Sequence, residues 1–231
     1  MNKLCPILAC ALVVCAPLKS ADCKNVNKTV SLNPKGSVRL ETFKGSIRIS
    51  TWDRPDVDIQ ARIEAGASTS RGRFDATEVA IDSTPDSVTV QTKLPCCISD
   101  AGSNPLVHYT IQMPRTAKLR IRDHASDAEI AGLSGALEIE THRGDFHVDF
   151  TALTGDSRVE THRGSVELLL PRDSKFDIRT DLDRRASLES DFPVMARLAH
   201  HRGRNLEGSV NGGGPILELH TYRGSIRLRA K

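Results

Sequence analysis

"ETHRGDFHVDF" at 140–150 and "ETHRGSVELLL" at 160–170 open on the same five residues and then set apolar side chains at every second position. That alternation is the mark of a strand buried on one face. The shared phrase, Thr-x-Arg/Lys-Gly followed by Ser or Asp, an apolar residue, any residue and a second apolar residue, occurs four times. The copies are "TFKGSIRI" from Thr42, "THRGDFHV" from Thr141, "THRGSVEL" from Thr161 and "TYRGSIRL" from Thr221. Gly144 and Gly164 are 20 residues apart, and Gly224 follows 60 later, three times the same interval. A divergent copy, "HHRGRNLEG", surrounds Gly203, and "IRTDLDRRASLESDF" at 178–192 fills the remaining gap without its glycine.

Twenty residues hold two short strands and two bends, which is one coil of a β-solenoid. A single coil cannot bury its apolar face, whereas stacked coils share a continuous core. The inward positions would be Leu137, Ile139, Phe146, Val148, Phe150, Val166, Leu168, Leu170, Phe176, Ile178, Leu217, Leu219, Ile226 and Leu228, while His147, Asp149, Glu167, Arg227 and Arg229 face outward. An antiparallel meander could repeat at the same interval; like residues recurring in one column favour stacked coils. Before the repeats, "GSIRIS", "DVDIQARI", "EVAIDS", "SVTVQT", "VHYTIQM" and "KLRIR" alternate in the same way, and no helical stripe of ten residues occurs. "EAGASTSRGRF" (64–74) and "CCISDAGSNP" (96–105) read as surface loops. The first half is expected to cap one end and fold over the coils. The last strand, "SIRLRA", would form the other end, with Arg227, Arg229 and Lys231 as a charged edge that discourages further pairing.

The beginning of the chain differs in kind. Lys3, the apolar run "LCPILACALVVCAPL" and the small residues Ser20 and Ala21 follow the order of a secretory signal, so residues 1–21 are expected to be a signal peptide and 22–231 one domain. The run is too short and too interrupted by Pro6 and Pro17 to span a membrane, and the mature chain should contain no transmembrane segment. Lys3 and Lys19 fall within the leader, so the 32 basic residues become 30 against 29 acidic. Nucleic acid needs a large positive field and is not an expected partner. Of six cysteines, Cys23, Cys96 and Cys97 remain after the leader. Outside the cell a disulfide would join Cys23 to Cys96 or Cys97, with a strained 96–97 bridge as the alternative. No spacing supplies a fourth metal ligand, and no metal or cofactor is expected.

The order "GSIRISTWDRPDVDIQA", "VHYTIQMPRTAKLRIRD", the repeated T-x-R-G-S/D coils, "SDFPV" and "LEGSVNGGGPILELHTYRGSIRL" closely resembles the DUF4097 family, bacterial β-strand-repeat proteins also called putative adhesins. The resemblance runs from about residue 36 to the C-terminus. It implies an all-β, right-handed, single-stranded β-helix-like solenoid of about 20-residue coils and an exported protein of the periplasm, cell surface or extracellular space. It carries over no enzyme activity and no catalytic residue. The chain departs from the family by writing Thr-His-Arg-Gly where relatives often have Thr-Ser-Ser-Gly-Asp, which makes its corners bulky and cationic.

Gly45, Gly144, Gly164 and Gly224 are expected to be structural turn residues, taking the positive φ that such a bend requires without steric cost. His142 with Arg143, His162 with Arg163, and Tyr222 with Arg223 would stack as a ladder, Tyr222 and Arg223 lying farther along the column. Two readings apply: a solvated edge balanced by Glu140 and Glu160, or an Arg/His ridge for an anionic glycan or envelope polymer, since guanidinium presents a planar fork to such groups. The sequence contains no G-x-S-x-G, H-E-x-x-H or S-x-x-K set, and Asp145 and Asp149 on one strand would lie about 13 Å apart, too far for a glycosidase pair. "NGGGP" (211–215) has no following helix to make a phosphate loop and reads as a tight bend. Trp52 reads as a packing residue. The function expected is a non-catalytic, adhesin-like or envelope-associated scaffold; the alternative is an envelope stress or ligand sensor that reads anionic glycans through the ladder. Oligomeric state is not legible.

Overall fold

Every alternating run quoted above lies in a strand of the computed structural model, which describes residues 22–95, 102–198 and 206–231. In chain order the first strands are β1 (Cys23–Ser31), β2 (Ser37–Glu41), β3 (Lys44–Trp52), β4 (Asp56–Glu64), β5 (Glu78–Thr84), β6 (Ser87–Lys93) and β7 (Leu106–Pro114). The remainder are β8 (Lys118–Leu133), β9 (Leu137–Arg143), β10 (Phe146–Phe150), β11 (Ser157–Thr161), β12 (Gly164–Leu170), β13 (Phe176–Ser190), β14 (Met195–Leu198), β15 (Glu207–Val210) and β16 (Ile216–Ala230). One short helix, α1 (Arg71–Ala76), interrupts the first half. It corrects the loop expected at 64–74: Ser70 caps it by accepting the Arg73 N–H at 3.3 Å, and Phe74 anchors it in the core. Among the described residues no helix is long and apolar enough to cross a membrane.

The repeats pair in parallel and in register. Phe146 lies opposite Val166 and Val166 opposite Ile226; on the other side of the bend Ile139 faces Val159, which faces Leu219. The pairings run β8–β10–β12–β16–β11–β9 and return to β8, a closed ring of six parallel strands. β8, β13 and β16 run through the bend and pair on both sides of it. All fourteen inward positions read from the sequence are buried, none more than 2% exposed. Each such side chain contributes about 1.5–3 kcal/mol of transfer free energy, and its placement follows from the two-residue period alone.

Three expectations about order are corrected. β16 is interior, flanked by β12 and β13, so "SIRLRA" is no terminal edge. Gly224 therefore sits opposite Gly164, and the 60-residue interval is one rung of the stack, not three. β13, the glycine-less segment, lies outside β16, and the antiparallel strands β15 and β14 close that end. The bend at 211–215 returns the chain from β15 into the slot beside β12, with Asn211, Gly212 and Gly213 at φ 51, 96 and 81. Nor does the first half fold over the coils. β2 and β3 extend the stack by pairing in parallel with β8, followed by β7, β4 and β1 on one side and β6 and β5 on the other. The leader expected at 1–21, Cys96, Cys97 and residues 200–205 of the copy around Gly203 lie outside the described residues.

Candidate functional site

The bend between the two strand layers carries four columns of residues, one for each letter of the Thr-x-Arg-Gly phrase. The threonines are buried, Thr141, Thr161 and Thr221 each at 4% exposure or less. Thr141 and Thr161 donate their hydroxyls to the carbonyls of Arg143 and Arg163, at 3.1 and 3.3 Å, which fixes the bend from inside. Gly144, Gly164 and Gly224 have φ of 135, 126 and 136°. A Cβ on them would fall 1.9, 2.0 and 1.8 Å from the carbonyl oxygen of the preceding rung, so glycine is demanded both by conformation and by close approach.

The second column is a stack of rings. Phe43, His124, His142, His162 and Tyr222 follow one another with centroid separations of 4.6, 5.0, 4.9 and 4.3 Å. The separations approximate the spacing of hydrogen-bonded strands, so the ladder of backbones dictates the ladder of rings. Stacked rings add about 0.5–1.5 kcal/mol per pair beyond their buried area. His142, His162 and Tyr222 were expected in this column; Phe43 and His124 were not. Phe43 stood inside a quoted repeat copy; His124 stands in "DHAS" (123–126), which lacks the glycine that marks the others.

That β8 corner turns by a different device. Ser126 occupies the glycine column opposite Gly45, and Asp123 occupies the threonine column opposite Thr141. The buried Asp123 carboxylate accepts the Ser126 N–H and Oγ–H, both at 2.7 Å, and lies 3.2 Å from the Thr141 hydroxyl, whose one hydrogen it shares with the Arg143 carbonyl. Burial pushes its pKa up, and these hydrogen bonds oppose the rise.

The third column holds the cations. Lys44, Arg143, Arg163 and Arg223 are exposed, and Arg185 of β13 follows opposite Arg223. Among the described residues none of these four arginines forms an ion pair, whereas Arg122, Arg158, Arg227 and Arg229 nearby are each within ion-pair distance of a carboxylate. The His142 pKa is lowered by burial and by the charges of His124, His162, Arg143 and Arg163. Glu140 and Glu160, expected to balance the corner, are turned elsewhere, to Arg122 and Arg158, both at 3.1 Å. They line a cleft of ≈ 470 Å³ on the opposite flank of the ring stack, together with Glu41 and Asp123.

Two columns on the flat faces change sign rung by rung along most of their length. On one face Arg120, Glu138, Arg158, Glu218, Arg179 and Glu207 are successive partners; on the other, Arg48, Glu129, His147, Glu167, Arg227 and Glu189 are. Adjacent members meet at 2.7 Å for Arg120–Glu138, 3.2 Å for Arg158–Glu218 and 3.0 Å for His147–Glu167. Of the three histidines of the corner, His124 and His142 stack face on face and His162 is tilted by 44° to His142, and among the described residues no group of three or more His, Cys, Asp or Glu is placed to hold a metal ion. Trp52 donates its ring N–H to the Asp56 carbonyl at 2.9 Å and its face is covered by Arg54 at 4.2 Å, so the ring packs within its own turn. Asp145 accepts the Ser165 N–H at 2.8 Å and so caps the neighbouring rung. Cys23 is exposed at the start of β1.

Residues 110–228 match the model of the family described as Toastrack DUF4097. No curated protein matches the chain. The crystal structure of a putative cell adhesion protein from Clostridium sporogenes is similar with a TM-score of 0.60 at 12% identity, over 90% of this chain and 100% of that one. A putative adhesin from Bacteroides fragilis aligns over 89% of this chain and 97% of its own, at 10% identity and a TM-score of 0.36. At 12% identity the Clostridium sporogenes structure shows a shared fold.

Proposed function

The chain belongs to the Toastrack DUF4097 family, and from that premise we propose an exported, non-catalytic, adhesin-like scaffold whose cationic corner binds anionic glycans of the cell envelope. Residues 22–231 form one domain in this reading. The six-strand ring with its 20-residue register is a stack of coils in a right-handed β-helix-like solenoid, which serves to hold the corner rigid. One observation carries the reading: like charges that meet on the flat faces, Glu140 with Glu160 and Arg39 with Arg120, each have an opposite charge within ion-pair distance, while the corner sets arginine upon arginine and, among the described residues, none of them has one. Like charges at this spacing repel by about 1 kcal/mol in water, an expense that a structural edge has no reason to bear. A linear polyanion laid along the corner would supply the missing counter-charges, and the guanidinium forks suit carboxylate, sulfate and phosphate alike.

Binding of the protein to an array of anionic glycans tests this. Replacing Arg143 and Arg163 together by Ser should weaken binding at least about tenfold, since each charge-assisted hydrogen bond is worth about 1.5–3 kcal/mol. Arg227→Ser, in an alternating column, should leave it unchanged. Equal loss from both replacements, or none from either, would overturn the assignment of the corner.

A further inference from the structure

The corner is not uniform along its length. At Tyr222 the ring stack ends, because the next rung, in β13, has no ring to offer. There the register shifts between Leu182 and Arg185: Leu182 lies opposite Thr221 and Arg185 opposite Arg223, so Asp183 and Arg184 together face the single residue Tyr222. The inserted residue is a bulge, the usual way to re-aim side chains at a strand's bend. It adds Arg184 to the cations already in column. Arg163, Arg184, Arg185 and Arg223 line one pocket of ≈ 280 Å³, with His162 and Tyr222 as its aromatic wall and Asp183 as its one acid. The Asp183 carboxylate accepts the backbone N–H of Arg184, and among the described residues it forms no ion pair with the four guanidinia.

We propose that this pocket binds a phosphate monoester. The inference rests on reading the corner as an anion-binding surface and names the group that its end selects. Four forks around so small a space exceed what the two oxygens of a carboxylate can accept. A phosphate monoester brings three acceptor oxygens and a charge of about −1.5 to −2 at neutral pH, and takes paired N–H donors from guanidinium. The volume sits at the small end for ligand pockets: it holds a head group, while the polymer or lipid that carries it lies outside.

The test titrates the full chain with inorganic phosphate, followed by calorimetry, and with phosphatidylcholine vesicles with and without phosphatidic acid, followed by co-sedimentation. Arg184 and Arg185 are exposed, so the double replacement Arg184→Ser, Arg185→Ser keeps the fold, which circular dichroism checks. Saturable binding in either arm that falls about tenfold or more in the double variant, and is unmoved by Arg143→Ser outside the pocket, supports the site; the responding arm tells whether the ester is soluble or lipid-borne. Binding that survives the double variant, or none in both arms, overturns it. Oligogalacturonate titrated into the same samples separates the two readings. If it binds through Arg143 and Arg163 while phosphate does not bind, the ridge stands and the pocket falls. If phosphate binds through Arg184 and Arg185 while the oligouronate does not bind, the pocket stands without the ridge.

Discussion

Two columns of side chains climb the same stack and are charged in opposite manners. Along Arg120, Glu138, Arg158, Glu218, Arg179 and Glu207 the sign changes at every rung; along Arg143, Arg163, Arg223 and Arg185 it never does. Parallel in-register pairing sets each residue beside its counterpart in the next repeat. Whatever the sequence copies, the stack therefore piles like upon like, and alternation requires the copies to differ. The flat face is written to differ, Glu then Arg then Glu at 138, 158 and 218, while the corner is copied outright as Thr-His-Arg-Gly. Where the flat faces do set like upon like, Glu140 beside Glu160 and Arg39 beside Arg120, an opposite charge on the same strand or the next answers each; among the described residues the corner arginines have no such answer.

The largest expected effect breaks the register on which both columns depend. Gly164 combines a φ of 126° with a neighbouring carbonyl oxygen 2.0 Å from where a Cβ would be. Gly164→Ala should cost about 3 kcal/mol, the upper range for a strained backbone position. Gly212 has a φ of 96° and nothing within 4 Å of its Cβ position. Gly212→Ala should thus cost only the conformational part, about 1 kcal/mol. Urea denaturation measures both; equal values would mean that close approach between rungs contributes nothing.

The same register explains what was legible in the sequence. Period-two alternation placed Phe146, Val166 and Leu228 in the core because a strand has only two faces, and the glycine interval placed the bends. Order within the stack was not legible, because a period fixes register and says nothing of adjacency. Gly164 has a bare backbone on one side, and the rung that fits it is the one bearing Gly224, sixty residues on, while the intervening segment carries Ala186 and a bulge at that corner. The corner of β8 escaped for a related reason: Asp123 and Ser126 perform the turn with side-chain hydrogen bonds, so no glycine advertised the ring of His124. Arg184 escaped because a bulge is invisible to a ruler of fixed length.

A sharper test exchanges the two patterns. Glu138→Arg would give the flat face four arginines in succession, from Arg39 to Arg158, and remove the partner of Arg120 and Lys118. It should destabilise by about 1 kcal/mol, less in high salt. Arg163→Glu would make the corner alternate from Arg143 to Arg223, and should stabilise by about 0.5 kcal/mol, the worth of an exposed pair, while abolishing the binding of anionic glycans. Gain of stability with loss of binding is the outcome that distinguishes a functional column from a neglected one. If Arg163→Glu loses both, the corner is held together by something other than the geometry described.

The smallest effect separates the columns by pH. In the corner, burial and the neighbouring charges of His124, His162, Arg143 and Arg163 hold the His142 pKa below its ordinary 6.5. Near that value the unfolded chain binds more protons than the folded one, so stability rises with pH. The contribution is complete above 6.5 and is lost as the pH falls through 6.5 toward the lower folded value. On the flat face, His220 and Arg158 hold the Glu218 carboxyl below its ordinary 4.5. Its contribution survives into more acid solution and is lost only as the pH falls below 4.5 toward the folded value. Acid titration of stability should accordingly show the corner weakening first and the alternating face second. His142→Phe, which keeps a ring in the stack, should remove the first step and leave the second; Glu218→Gln should do the reverse. Two steps that both vanish with one replacement would show that the columns titrate as a single network, and the contrast between them would then lie in sequence alone.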